Sequence, residues 1–143
     1  MKYLTFMLAD QFCGFELSCV RELLGYMNFT PAPGEHPAVA GYFDLRGRSV
    51  RVLDLRLRFG LPATRTDDTA MIIVDLAGAQ IAAIVDKTVG VENLGTQAPF
   101  AASTRSPIDP QCILGTVAIR EKPLILLNAA RSMTTLPPLQ KAA

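Results

Sequence analysis

The stretch from Gly41 to Phe59 can be laid without gaps on Gly115 to Met133, 74 residues further along, and the same kinds of residue recur in the same order. Gly41 pairs with Gly115, Leu45 with Ile119, Arg46 with Arg120, Val50 with Leu124, Val52 with Leu126, Leu53 with Leu127 and Asp54 with Asn128. Each copy reads as an apolar run, a short turn holding an arginine, a second apolar run and a side chain suited to cap a helix. That is the pattern of a hairpin closed by a helical turn. A unit this small buries too little surface to stand alone and gains by packing on its twin. The expectation is an all-β chain, 1–143, made of two small barrels: one over about 10–68, the other over about 69–127, with the chain ends crossing between them.

The segments around the repeat fit that frame. Tyr3 to Ala9 and Phe12 to Leu17 read as a first hairpin turning at Asp10 and Gln11. Ser18 is placed to cap a helical turn over Cys19 to Leu23, Gly25 to Thr30 reads as extended, and Pro31, Pro33 and Pro37 stiffen the loop beyond. Val39 to Leu45 and Ser49 to Leu53 form the repeated hairpin, and Asp54 caps a turn through Phe59. Ala70 to Leu76 and Gln80 to Val85 make an apolar hairpin about Ala77 and Gly78, and Lys87 to Glu92 continues the sheet. Residues 93–110 read as a long ordered loop. Ile113 to Ile119 and Pro123 to Leu127 follow, then a helix from Asn128 to about Thr135 and a frayed tail after Pro137 and Pro138.

Composition removes several functions. Hydrophobic residues are 50% of the chain and charged residues 19%, so a packed core is expected. A formal charge of +1 supplies no field to gather phosphate backbones or anionic lipid. No run approaches the roughly 20 apolar residues of a membrane-spanning helix, which points to the cytoplasm without direct membrane insertion. Cys13, Cys19 and Cys112 are odd in number and scattered, as reduced buried thiols are. His36, the one histidine, has no ligand partner at the spacing a metal site uses, so no metal or other cofactor is expected.

No Ser-His-Asp order, phosphate loop or nucleophile elbow is present, and Asp67, Asp68 and Asp86 fall at turns, where aspartate is common for backbone reasons. Catalysis is not expected. Arg46, Arg48, Arg51, Arg56, Arg58 and Arg65 are the best argument for a nucleic-acid surface, yet tryptophan is absent and the rest of the chain cancels their charge. A stand-alone barrel binding nucleic acid or a small ligand is the alternative of a different class.

The stretch Gly41-Tyr42-Phe43-Asp44-Leu45-Arg46-Gly47, with Val52, Asp54, Leu55, Arg56, Phe59 and Gly60 in register behind it, resembles the CheW family of chemotaxis coupling proteins. Val20-Arg21-Glu22-Leu23, Val85-Asp86 and Gly115 extend the resemblance over nearly the whole chain. Asp44 and Arg51 depart from it, standing where the family pattern has asparagine and proline. The resemblance implies two five-stranded β-barrel subdomains packed together with short helices, one near the C-terminus. It implies a non-enzymatic adaptor that bridges the cytoplasmic tip of a chemoreceptor and a CheA-type histidine kinase, recruited to membrane-associated receptor arrays. The receptor tip would lie in a groove between the subdomains at Val20, Gly41 and Arg46, with Glu22 holding the arginine in place and Asp44 beside it. The kinase would meet the second barrel along Ile72, Val74, Ile84 and Val85. The carboxylate of Asp44 is the one hint of a changed partner preference, such as a chemosensory pathway controlling pili, biofilm or a second messenger.

Overall fold

The computed structural model describes residues 1–96 and 106–136, so part of the loop over 93–110 and the tail after 136 lie outside the described residues. The strands are β1 (Lys2–Leu8), β2 (Gln11–Glu16), β3 (Val20–Gly25), β4 (Thr30–Pro31), β5 (Val39–Leu45), β6 (Arg48–Asp54), β7 (Ala70–Leu76), β8 (Ala79–Val85), β9 (Lys87–Asn93), β10 (Ile113–Ile119) and β11 (Lys122–Leu127). Two short helices, α1 (Leu55–Arg58) and α2 (Ala129–Thr134), follow β6 and β11. The all-β expectation holds.

The repeat is visible in the backbone. In both hairpins the ladder slips at the start, between Val39 and Gly41 and between Ile113 and Gly115. In both, the turn arginine takes a left-handed conformation, with φ of 50° at Arg46 and 49° at Arg120, as two-residue turns matching the strand twist require. The caps match too: Asp54 accepts from Arg56 N and Asn128 from Arg131 N, each at 3.0 Å.

The strands form two open sheets rather than two closed five-stranded barrels. One has five strands in the order β10-β11-β2-β1-β9, the other six in the order β3-β7-β8-β6-β5-β4. No backbone ladder joins β9 to β10, or β3 to β4 or β5, among the described residues. The sheets also do not follow the split into 10–68 and 69–127, because β7 and β8 pair with β3 and β6 while β2 pairs with β1 and β11. The cause is an exchange of third strands. β3 follows the β1–β2 hairpin but pairs with β7, and β9 follows the β7–β8 hairpin but pairs with β1. A second difference falls at Ser18: Leu17–Cys19 is a single 3₁₀ turn and the chain is already a strand at Val20, so no helical turn runs to Leu23.

Alternation along each strand sends side chains into separate apolar layers. Between the sheets, Leu4, Phe6, Leu8 and Phe15 meet Leu53, Ile72, Val74 and Val85, with the rings of Phe6 and Phe15 4.9 Å apart. Each fully buried side chain of this size contributes roughly 1.5–3 kcal/mol of burial. Inside the six-stranded sheet lie Phe43, Val50, Val52, Met71, Ile73, Ala82 and Ile84. The filling of the five-stranded sheet is smaller, built on Tyr3, Leu94, Val117, Leu124 and Leu126.

One charged cluster is buried at the junction of the sheets. The Arg56 guanidinium donates to Asp54 and to Asp86, and also to the Thr64 carbonyl at 2.9 Å. Asp86 in turn accepts from Ala9 N at 2.6 Å, and its own N–H donates to the Met7 carbonyl. Asp86 therefore ties β1 to the chain between β8 and β9, which accounts for a turn aspartate without chemistry.

Candidate functional site

β3 is a sheet edge, and its residues alternate between two environments. Val20 lies opposite Val74 and Leu23 opposite Ile72, both of the inter-sheet core, so these side chains extend that apolar seam outward. Val20 is half-buried and Leu23 is exposed. Glu22 lies opposite Ile73, whose side chain fills the six-stranded sheet, and stands at the rim of that filling.

The β5–β6 turn brings Arg46 to the same rim from the other side of the sheet. Arg46 Nη2 donates to Glu22 Oε1, and Nη1 lies 3.4 Å from Oε2. The pair joins the edge strand β3 to the β5–β6 turn, bridging by side chains a gap that no ladder closes among the described residues. The Glu22 carboxylate favours the charged guanidinium and raises its pKa further. The Arg46 side chain is nevertheless 70% exposed, so much of its five-donor fork faces solvent.

The other expected groove residues act indirectly. Gly41 is buried, and a Cβ there would stand 2.0 Å from the Thr30 carbonyl oxygen, so glycine is what lets β4 and β5 approach. Asp44 is exposed and accepts from Gly47 N at 3.4 Å. It closes the turn, while Glu22 provides the countercharge to Arg46. Leu23 was missed by reading the sequence, because it fell in a segment assigned to a helical turn.

The four residues expected to meet a kinase are interior. Ile72, Val74 and Val85 are fully buried in the inter-sheet core, and Ile84 is 2% exposed inside the six-stranded sheet. An apolar central hairpin is core material in a two-sheet protein, so these side chains present no surface to a partner.

The arginine cluster is dispersed rather than pooled. Arg56 and Arg58 are buried, the latter donating to the Thr135 carbonyl at 2.7 Å and lying 3.6 Å from Asp109. Arg51 stands 4.0 Å from Glu35, and Arg65 stacks over the Tyr26 ring at 4.1 Å. Phosphate contact needs free cations on one face, and most of these are committed elsewhere. Cys13 and Cys112 are buried free thiols and Cys19 is half-buried. Among the described residues no group of His, Cys, Asp and Glu is placed to hold a metal, and no helix is long and apolar enough to cross a membrane.

Comparison with known proteins agrees with this architecture. A family model described as the CheW-like domain matches residues 2–136. The chemotaxis protein CheW of Klebsiella aerogenes is 27% identical over 139 residues, covering 94% of this chain and 82% of that protein. The chemotaxis protein CheW of Bacillus subtilis is 31% identical over 87 residues, 60% of this chain and 56% of that protein. The crystal structure of the scaffolding protein TtCheW of Thermoanaerobacter tengcongensis superposes with a TM-score of 0.84 at 24% identity, covering 95% of this chain and 93% of its own, which shows the shared fold. Because the family model spans nearly the whole sequence, this chain belongs to the CheW-like family of non-enzymatic chemotaxis scaffolds.

Proposed function

We propose that this scaffold couples the cytoplasmic tip of a chemoreceptor to a CheA-type histidine kinase, holding the receptor along the seam beside β3 and the kinase at a second face. The observation that carries the receptor side is the exposed Arg46 fork, fixed by Glu22 at the rim of an edge strand that also exposes Leu23. A receptor helix end offers carbonyls and carboxylates to such a fork and apolar side chains to the seam. Val20 and Leu23 supply the apolar strip, Glu22 positions the arginine, and Gly41 and Asp44 shape the hairpin that presents it. The kinase contact falls on surface residues outside Ile72, Val74, Ile84 and Val85. Joining two partners raises their effective concentration and needs no cofactor. This reading places the protein in the cytoplasm, recruited to membrane-associated receptor arrays.

The test is co-sedimentation of the purified protein with receptor cytoplasmic fragments and CheA-type kinase from the same cell. Retention of both, each independently of the other, is expected. Retention of neither at low salt and high concentration overturns the coupling role and leaves the fold untouched.

A further inference from the structure

β3 leaves the six-stranded sheet at Gly25, which lies opposite Ala70 at the start of β7. The chain between α1 and β7 returns to that point, and a cleft of about 470 Å³ opens there, lined by Gly25, Tyr26, Arg65, Thr66, Asp67 and Thr69. That volume is in the range of small-molecule sites. A Cβ on Gly25 would meet nothing within 4 Å, so the strand end leaves the cleft unfilled.

The polar groups of the cleft are held in place but not used. The Arg65 guanidinium carbon lies 4.1 Å from the centre of the Tyr26 ring, and that ring is braced 5.9 Å from Phe29, which packs against the filling of the sheet. The stack engages the face of the guanidinium. Its five N–H donors have no acceptor among the described residues. Thr69 Oγ1 accepts from Thr66 N at 2.8 Å and Thr66 Oγ1 from Asp68 N at 3.2 Å, which fixes the loop and leaves both hydroxyl protons free to donate. Asp67, between them, carries a carboxylate that accepts nothing among the described residues.

We propose that this cleft binds the guanine base of a nucleotide. Arg65 disfavours a cation and Asp67 a plain anion, so the ligand that satisfies both presents acceptors on one edge and donors on the next. Guanine does so: O6 and N7 accept from an arginine fork in pairs, while N1–H and the 2-amino group donate to a carboxylate. Adenine puts an amino group where O6 stands and an acceptor at N1, which sets donor against Arg65 and acceptor against Asp67. A free amino acid matches the two charges but is small for about 470 Å³ and leaves water to screen both contacts. The cleft is at the end of β3 away from Val20 and does not depend on the receptor reading.

The experiment is isothermal titration calorimetry of the full chain with guanosine, GMP and AMP, with inorganic phosphate and glycine as the charged controls. GMP is expected to bind at least about tenfold more tightly than AMP, and guanosine within about threefold of GMP. Arg65→Ala and Asp67→Ala, both on exposed side chains, should each weaken GMP about tenfold or more with the melting temperature kept. Equal binding of GMP and AMP, binding of neither, or unchanged GMP affinity in the folded variants overturns the proposal. So does displacement of GMP by phosphate or glycine at matching concentration, which would make the cleft a site for an anion or a free amino acid.

Discussion

Arg56 Nη1 lies 3.0 Å from Asp86 Oδ1, at the point where the chain leaves the six-stranded sheet and returns to the five-stranded one. Its guanidinium is 4% exposed and also serves both oxygens of Asp54, so one side chain holds the helix α1, the end of β6 and the crossover in a fixed relation. Removing it leaves Asp54 buried without a countercharge. Arg56→Ala should therefore cost about 3–5 kcal/mol in urea denaturation. A loss under about 1 kcal/mol, the size expected of an exposed pair, would show that the cluster does not clamp the sheets.

Gly41→Ala separates shape from contact at the receptor seam. The added methyl would meet the Thr30 carbonyl oxygen and carbon at 2.0 and 2.8 Å and the Phe29 ring at 2.9 Å, and two of these are backbone atoms that cannot swing aside. The expected loss is about 1–3 kcal/mol of stability, with β4 displaced from β5. Receptor binding should fall with it. A variant as stable as wild type that has lost binding would make Gly41 a contact residue instead.

The sequence made some of this legible and hid the rest for physical reasons. The repeated hairpins could be read because each is two apolar runs about a short turn and ends in a cap, Asp54 or Asn128. β3 could not, because its alternation runs against polarity: Glu22 turns toward the rim of the sheet filling while Leu23 faces the exposed seam. That inversion resembles a helical turn and is also what makes the strand a candidate binding edge. The exchange of β3 and β9 was equally hidden, since two short edge strands carry no letter that names their partner. Ile72, Val74, Ile84 and Val85 were misread because an apolar hairpin looks the same whether it meets a partner or the protein's own second sheet.

Arg46→Ala tests the lip of the seam itself. The pair with Glu22 is surface-exposed, so its loss should leave the melting temperature nearly unchanged. Receptor co-sedimentation should drop to background while kinase retention persists. Arg46→Lys should recover little, since an ammonium lacks the planar fork. A stable Arg46→Ala protein that couples normally removes the arginine from the receptor contact.

Alkaline pH should loosen the inter-sheet core through its thiols. Cys13 is buried between the sheets, and burial pushes its pKa well above the ordinary 9.0; Cys112 and Cys19 shift the same way from the same leading cause. Below about pH 9 the thiol is protonated in both folded and unfolded chains, so it adds no pH dependence. Above that, the unfolded chain releases the proton while the folded one retains it, and stability falls as pH rises, by up to about 1.4 kcal/mol per pH unit for each such thiol. Urea midpoints measured at about pH 8 and pH 10 should drop steeply in the wild type and less steeply in Cys13→Ala, whatever the alanine costs at neutral pH. Equal slopes in the two proteins would mean that Cys13 ionises as readily folded as unfolded, and that the core between the sheets admits water.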